Sequence, residues 1–218
     1  MKKRTTMLAL LLATGAGTCL QAQEKLTQFK VRDAITVRTP IMNDSINPKG
    51  EKYADKDLLK TPVVLDLADA PFQVLSTDTA GVLSFPKAEK DHSIYLLETS
   101  LRAERFMTGK LKVTSPARWE IFINGESKMS KENAEDSISG ASTREVNLRL
   151  EPEADYEITI KLLSGSKDKA VPTLKCELIK DDKFKDITCF VSPEQKKRFA
   201  LPNTAVSYTH LRAHETRG

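Results

Sequence analysis

The chain is 218 residues long and carries a formal net charge of +4, from 34 basic and 30 acidic side chains. The excess sits at the two ends: residues 23–204 hold 29 basic and 29 acidic residues. That balance removes the electrostatic case for nucleic acid or an anionic membrane surface as partner. The interval is long enough for one ordinary domain plus an extension.

Residues 1–22 read as a secretory signal peptide. Lys2, Lys3 and Arg4 precede the apolar run Met7–Ala13, and small residues lead to Ala22. Leu20 at the −3 position is a poorer residue than alanine, so the cut falls within a residue or two. The apolar run is shorter than the ~20 residues a membrane span requires. The expectation is export, to the periplasm or the medium. Lipoprotein anchoring at Cys19 is disfavoured, because Thr18 stands where such signals use Gly, Ala or Ser.

Residues 23–60 form an N-terminal extension. Phe29, Val31, Ile35 and Val37 alternate as a first strand broken near Asp33, and a polar, turn-rich stretch turns helical at Tyr53–Leu59. This stretch reads as a surface linker that docks one short helix. Residues 61–191 are the candidate β-sandwich domain. Short strands are expected at Val63–Leu65, Phe72–Leu75 and Val82–Phe85, and a buried one in the continuous run Ile94–Leu97. Ser100–Thr108 suits either an exposed helical turn or an edge strand.

The strongest pattern runs from Lys110 to Ser164. Trp119, Ile121 and Ile123 alternate with Glu120 and Phe122, and Asn124-Gly125 follows at once. Asn-Gly predicts a type I′ hairpin, because both central residues of that turn need φ > 0. Val146, Leu148 and Leu150 alternate next, then Tyr156, Ile158, Ile160 and Leu162. Strands with one dry and one wet face belong to antiparallel sheets packed on a second layer. The fold class is therefore all-β, an antiparallel β-sandwich with short helical turns. Between the strands, Ser127–Thr143 is the longest polar insertion, with a short helix expected at Lys131–Asp136. Two readings stand for it: a binding loop on a rigid sheet, or a solvated excursion. On the first reading Trp119, Asn124, Gly125, Lys128 and Lys131 are the candidate binding residues.

Cys176 and Cys189 remain after leader removal. If Asp181–Phe184 is a four-residue hairpin loop, Cys176 faces Cys189, and an oxidising compartment permits a disulfide. The alternative is two buried thiols packing as small apolar residues. No metal site is expected, because His92 is the sole histidine of residues 23–204 and no further cysteine completes a coordination shell. No cofactor is expected either. There is no G-x-S-x-G, no phosphate-cradling glycine loop, and His92 reads as a solvated loop residue, so no catalytic residue is assigned. Residues 192–204 look like a linker leaving the domain.

Four resemblances add to this. The block WEIFINGESK followed by VNLRLEPEADYEITIKL is similar to jelly-roll and protective-antigen-type sandwiches, which include sugar-binding and accessory modules of secreted enzymes. This implies a glycan as one possible partner, although the acidic calcium-binding loop of such sugar binders has no match here. The segments DSINPKGEKYADKDLL, LRAERFMTGKLKVTS and PEQKKRFALPNT resemble the N-terminal, non-catalytic region of exported prolyl oligopeptidase-like serine peptidases. That implies downstream propeller and hydrolase domains of the same polypeptide as partners. Residues 205–218, AVSYTHLRAHETRG, resemble translated adapter read-through, a non-native tail on a longer protein. Asp-Ser/Thr-apolar triplets at Ser45, Thr79 and Ser137 are similar to O-glycosylation sites of exported proteins in some Gram-negative bacteria.

Overall fold

A computed structural model describes residues 23–32, 35–37, 50–52, 54–60, 72–89, 91–180 and 187–191. The signal peptide, Cys19, Ser45, the strand expected at Val63–Leu65, the linker 192–204 and the tail 205–218 lie outside the described residues.

The described elements are β1 (Gln23–Lys25), β2 (Gln28–Arg32), β3 (Ile35–Val37), α1 (Asp55–Lys60), β4 (Phe72–Ser76), β5 (Val82–Ser84), β6 (His92–Ala103), β7 (Met107–Thr114), β8 (Arg118–Ile123), β9 (Glu126–Lys131), β10 (Thr143–Leu150), β11 (Asp155–Gly165), β12 (Thr173–Lys180) and β13 (Ile187–Phe190). They build two sheets. Sheet one runs β1-β12-β7-β10, with β5 also on β12; sheet two runs β4-β2-β6-β11-β8-β9, with β3 and β13 also on β6. The strand pairings are antiparallel. From β6 onward the chain changes sheet at each connection except the β8–β9 hairpin, a crossing habit shared with jelly rolls. The all-β sandwich expected from the alternation is the fold observed.

Period-two patterning fixes which side chains meet. From sheet two, Trp119, Ile121, Ile158, Ile160 and Leu162 point inward; from sheet one, Leu111, Val113, Leu148, Leu174 and Leu178 meet them. Each aliphatic group removed from water in this way stabilises by roughly 1.5–3 kcal/mol. The run Ile94–Leu97 is continuous because both faces of β6 are covered. Tyr95 and Leu97 enter the main core, while Ile94 and Leu96 pack on the opposite face under α1. Tyr95 also donates to the Pro86 carbonyl at 2.6 Å.

The Asn-Gly turn forms as expected, with φ of 51° at Asn124 and 79° at Gly125. Glu151–Asp155 forms a corner from β10 in sheet one to β11 in sheet two. There the Tyr156 hydroxyl accepts from the Glu151 amide at 2.8 Å, and Glu153 takes a φ of 59°. The ambiguous Ser100–Thr108 stretch is neither exposed helix nor edge: it ends β6, an interior strand of sheet two, and starts β7.

Three expectations change. Residues 23–37, set apart as an extension, supply β1, β2 and β3 to the two sheets, so the sandwich begins at Gln23 and not at residue 61. No helix forms at Lys131–Asp136, because β9 continues through Lys131 and pairs it with Trp119. The disulfide hairpin is absent too. Cys176 lies in β12 opposite Val113 in sheet one and Cys189 in β13 opposite Leu101 in sheet two, and no disulfide joins them.

Candidate functional site

The five candidate binding residues all sit on or beside the β8–β9 hairpin, but they do not converge on one surface. Trp119 is fully buried in the main core, so it is no aromatic platform. Asn124 is spent on the fold: its amide donates to the Glu157 carbonyl and its Oδ1 accepts from the Glu157 amide, both at 2.8 Å. Gly125 supplies the second positive φ of the turn. Lys131 is 3% exposed, and its ammonium donates to the carbonyls of Ser115 at 2.8 Å and Ala117 at 3.1 Å and to Glu135 at 2.8 Å. Of the five, Lys128 presents its charge at the surface, 2.7 Å from Glu126.

The environment of Lys131 explains its loss as a ligand. Burial pulls its pKa down, with Glu135 acting in the opposite sense. Burial pushes the Glu135 carboxyl up, but hydrogen bonds from Lys131 and Ser142 outweigh it and leave the group below the ordinary carboxylate range. The pair pins the insertion against the sandwich, and the Glu135 amide donates to Pro116 at 2.8 Å. Beyond it, Ser137 is exposed, as is Thr79 at the tip of the turn before β5. Both hydroxyl positions are open to a modifying enzyme.

The structure assembles a polar cluster that linear spacing did not reveal. His92, at the start of β6, places Nε2 3.0 Å from Asp55 Oδ1 in the first turn of α1. A carboxylate only accepts, so Nε2 carries the proton. Arg118 bridges Asp55 to Asp168, donating to the two Asp168 oxygens at 2.8 and 2.9 Å. Asp168 also accepts from the Gly165 amide at 2.7 Å. The only sequence signals were an acid at a helix start and an acid after a glycine. In this cluster the arginine occupies the space between two carboxylates, which makes it a clamp between β8, the β11–β12 loop and α1. Among the described residues no group of three or more His, Cys, Asp and Glu converges as metal ligands.

At the opposite end of β11, Phe106 is 42% exposed in the β6–β7 turn, with the Arg149 guanidinium 5.1 Å from its ring centre. Nearby Arg102 pairs with Asp155 through two hydrogen bonds of 2.5 and 2.7 Å. This is the exposed aromatic of the described surface with a cation over its face.

No protein-family model matches the chain, and no curated protein sequence does either. Solved structures that it is similar to include a PA14 sugar-binding domain from an RTX adhesin, at 17% identity and a TM-score of 0.33, covering 45% of this chain and 52% of that one. A β-glucosidase from Kluyveromyces marxianus in complex with glucose gives 11% identity and a TM-score of 0.41, over 57% of this chain and 16% of the other. A family 35 carbohydrate-binding module from an environmental isolate gives 11% and 0.35, over 50% and 79%. The chain spans about half or less of the length of the first structures it matches. At these scores the likenesses do not assign a ligand. Among the described residues no helix is long and apolar enough to cross a membrane.

Proposed function

We propose that the chain is an exported, non-catalytic β-sandwich accessory module, the front part of a larger prolyl oligopeptidase-like serine peptidase. In this reading it packs on, or orients, propeller and hydrolase domains that follow it. One observation supports the non-catalytic part above the others. The side chains best suited to acid–base work, His92, Asp55, Asp168, Lys131 and Glu135, are committed to pairs that hold segments of the sandwich together. The link to a peptidase rests on the resemblance of residues 23–204 to the N-terminal region of that family. The leader-like residues 1–22 support export.

Sequencing the gene across codon 204 from source DNA tests the reading. Propeller repeats followed by a G-x-S-x-G support it; a stop codon directly after the sandwich overturns it.

A second reading, a glycan-binding module, is favoured by the Phe106–Arg149 pair. An exposed ring stacks on the apolar face of a sugar, and a guanidinium beside it donates to hydroxyls. Glycan-array binding that Phe106→Ala abolishes supports this reading. Binding unchanged in that variant removes Phe106 from it.

A further inference from the structure

Helix α1 is packed differently from the rest of the chain. Leu58 and Leu59 do not join the main core; with Ile94, Leu96 and Leu163 they form a separate apolar cluster on the outer face of sheet two. Polar clips hold both helix ends. Asp55 is held by Arg118 of β8 and His92 of β6, and Arg118 is held in turn by Asp168. The Leu59 carbonyl accepts from the Lys161 ammonium, and Lys60 lies 3.3 Å from Glu132. Glu120 of β8 is the other charge that faces Lys161.

A helix of six residues has no stability of its own away from this seat. Its apolar contribution is two leucines, and Asp55, Lys60 and Glu132 are partly solvated. The strands beneath are held by long ladders and by the main core, β11 being paired along both edges. Units with few apolar contacts open at lower free energy than the global transition.

We propose that α1 is a releasable strap. It lifts from sheet two as a unit while the sandwich stays folded, and uncovers the strip formed by Ile94, Leu96 and Leu163 with Lys161 beside it. Lys161 is 1% exposed when the strap is seated, so its amine reports the opening.

The test is amine acylation of the full chain with N-hydroxysuccinimidyl acetate at pH 8, read by peptide mass spectrometry, with Trp119 fluorescence reporting global unfolding. The expected result is that Lys161 labels at a rate insensitive to low urea, far below the fluorescence transition, and that Leu59→Ala raises this rate at least tenfold. Labelling of Lys161 that rises only with the fluorescence change, in both proteins, overturns the strap. Hydrogen exchange on the unaltered chain gives a second measure. Amides of Leu58–Lys60 should exchange at least tenfold faster than those of Ile160–Leu162; equal rates overturn the proposal.

Discussion

Lys131 and Trp119 are directly opposed in the β8–β9 register, so a lysine shares the inward face with the largest core side chain. Its ammonium escapes the apolar interior by turning to the carbonyls of Ser115 and Ala117 at the sandwich end. Lys131→Met keeps much of the stem but orphans two carbonyls and the Glu135 carboxylate. The expected cost is about 2–4 kcal/mol, discounted because Glu135 is partly solvated. Urea denaturation measures it; a loss below about 0.5 kcal/mol would mean that water replaces the lysine without penalty.

The same pair sets an acid limb. The folded carboxyl of Glu135 lies below its unfolded value, so the unfolded chain binds more protons as pH falls through the ordinary carboxylate range. Glu135 therefore contributes stability that is present above its unfolded pKa of about 4.3 and is lost as pH falls through the folded value. In Lys131→Met this contribution shrinks. The stability difference between variant and parent should narrow from pH 6 to pH 3, as measured by urea midpoints.

Lys161 gives the opposite limb. Its folded pKa is lowered to about 8 by burial, against the raising effect of Glu120. Between that value and an unfolded pKa near 10.4 the unfolded state holds the extra proton, so this group makes the fold more stable as pH rises. Relative to Lys161→Met, the parent should gain roughly 2–3 kcal/mol from pH 7 to pH 10.5, on the linkage of one pKa unit to 1.36 kcal/mol. Parallel profiles for the two proteins would place the Lys161 amine in contact with water.

Strands were legible wherever apolar residues recur at every second position, although of the three clearest only β10 keeps a wet face, while β8 and β11 are covered on both. The alternation in β8, β10 and β11 and the Asn124-Gly125 turn mark their own positions, because strand period and turn chemistry are local. Partners in space are not local. Cys176 and Cys189 look like a hairpin pair on paper, yet the chain changes sheet between them. Lys131 reads as surface because it is charged, and nothing nearby in sequence announces the two free carbonyls that draw it inward. His92 looks solvated beside Asp91 and Ser93; its partner Asp55 is 37 residues upstream. The helix was legible from Leu58 and Leu59, but its clamp needed the fold to bring four elements together.

Trp119 is the only tryptophan of the chain and is fully buried. Trp119→Ala should cost about 3–5 kcal/mol through the cavity it leaves. Trp119→Phe should cost less than about 2 kcal/mol, because the indole Nε1–H has no hydrogen-bond partner in the core and its removal ends that desolvation penalty. Thermal or urea unfolding of the two variants gives the comparison. Equal losses would mean that the indole N–H is satisfied, by an internal water for example.

The two thiols should differ in reactivity. Cys176 is 1% exposed and burial pushes its thiol well above the ordinary range, whereas Cys189 is half-buried on β13. The reactive species is the thiolate, so both access and ionisation protect Cys176. In the folded, leader-free protein, an aromatic disulfide reagent should titrate Cys189 readily and Cys176 only as fast as the fold opens. In denaturant without reductant both should react at once, since no disulfide joins them. Two thiols that appear only after reduction would mean that a disulfide joins the two cysteines across the sheets.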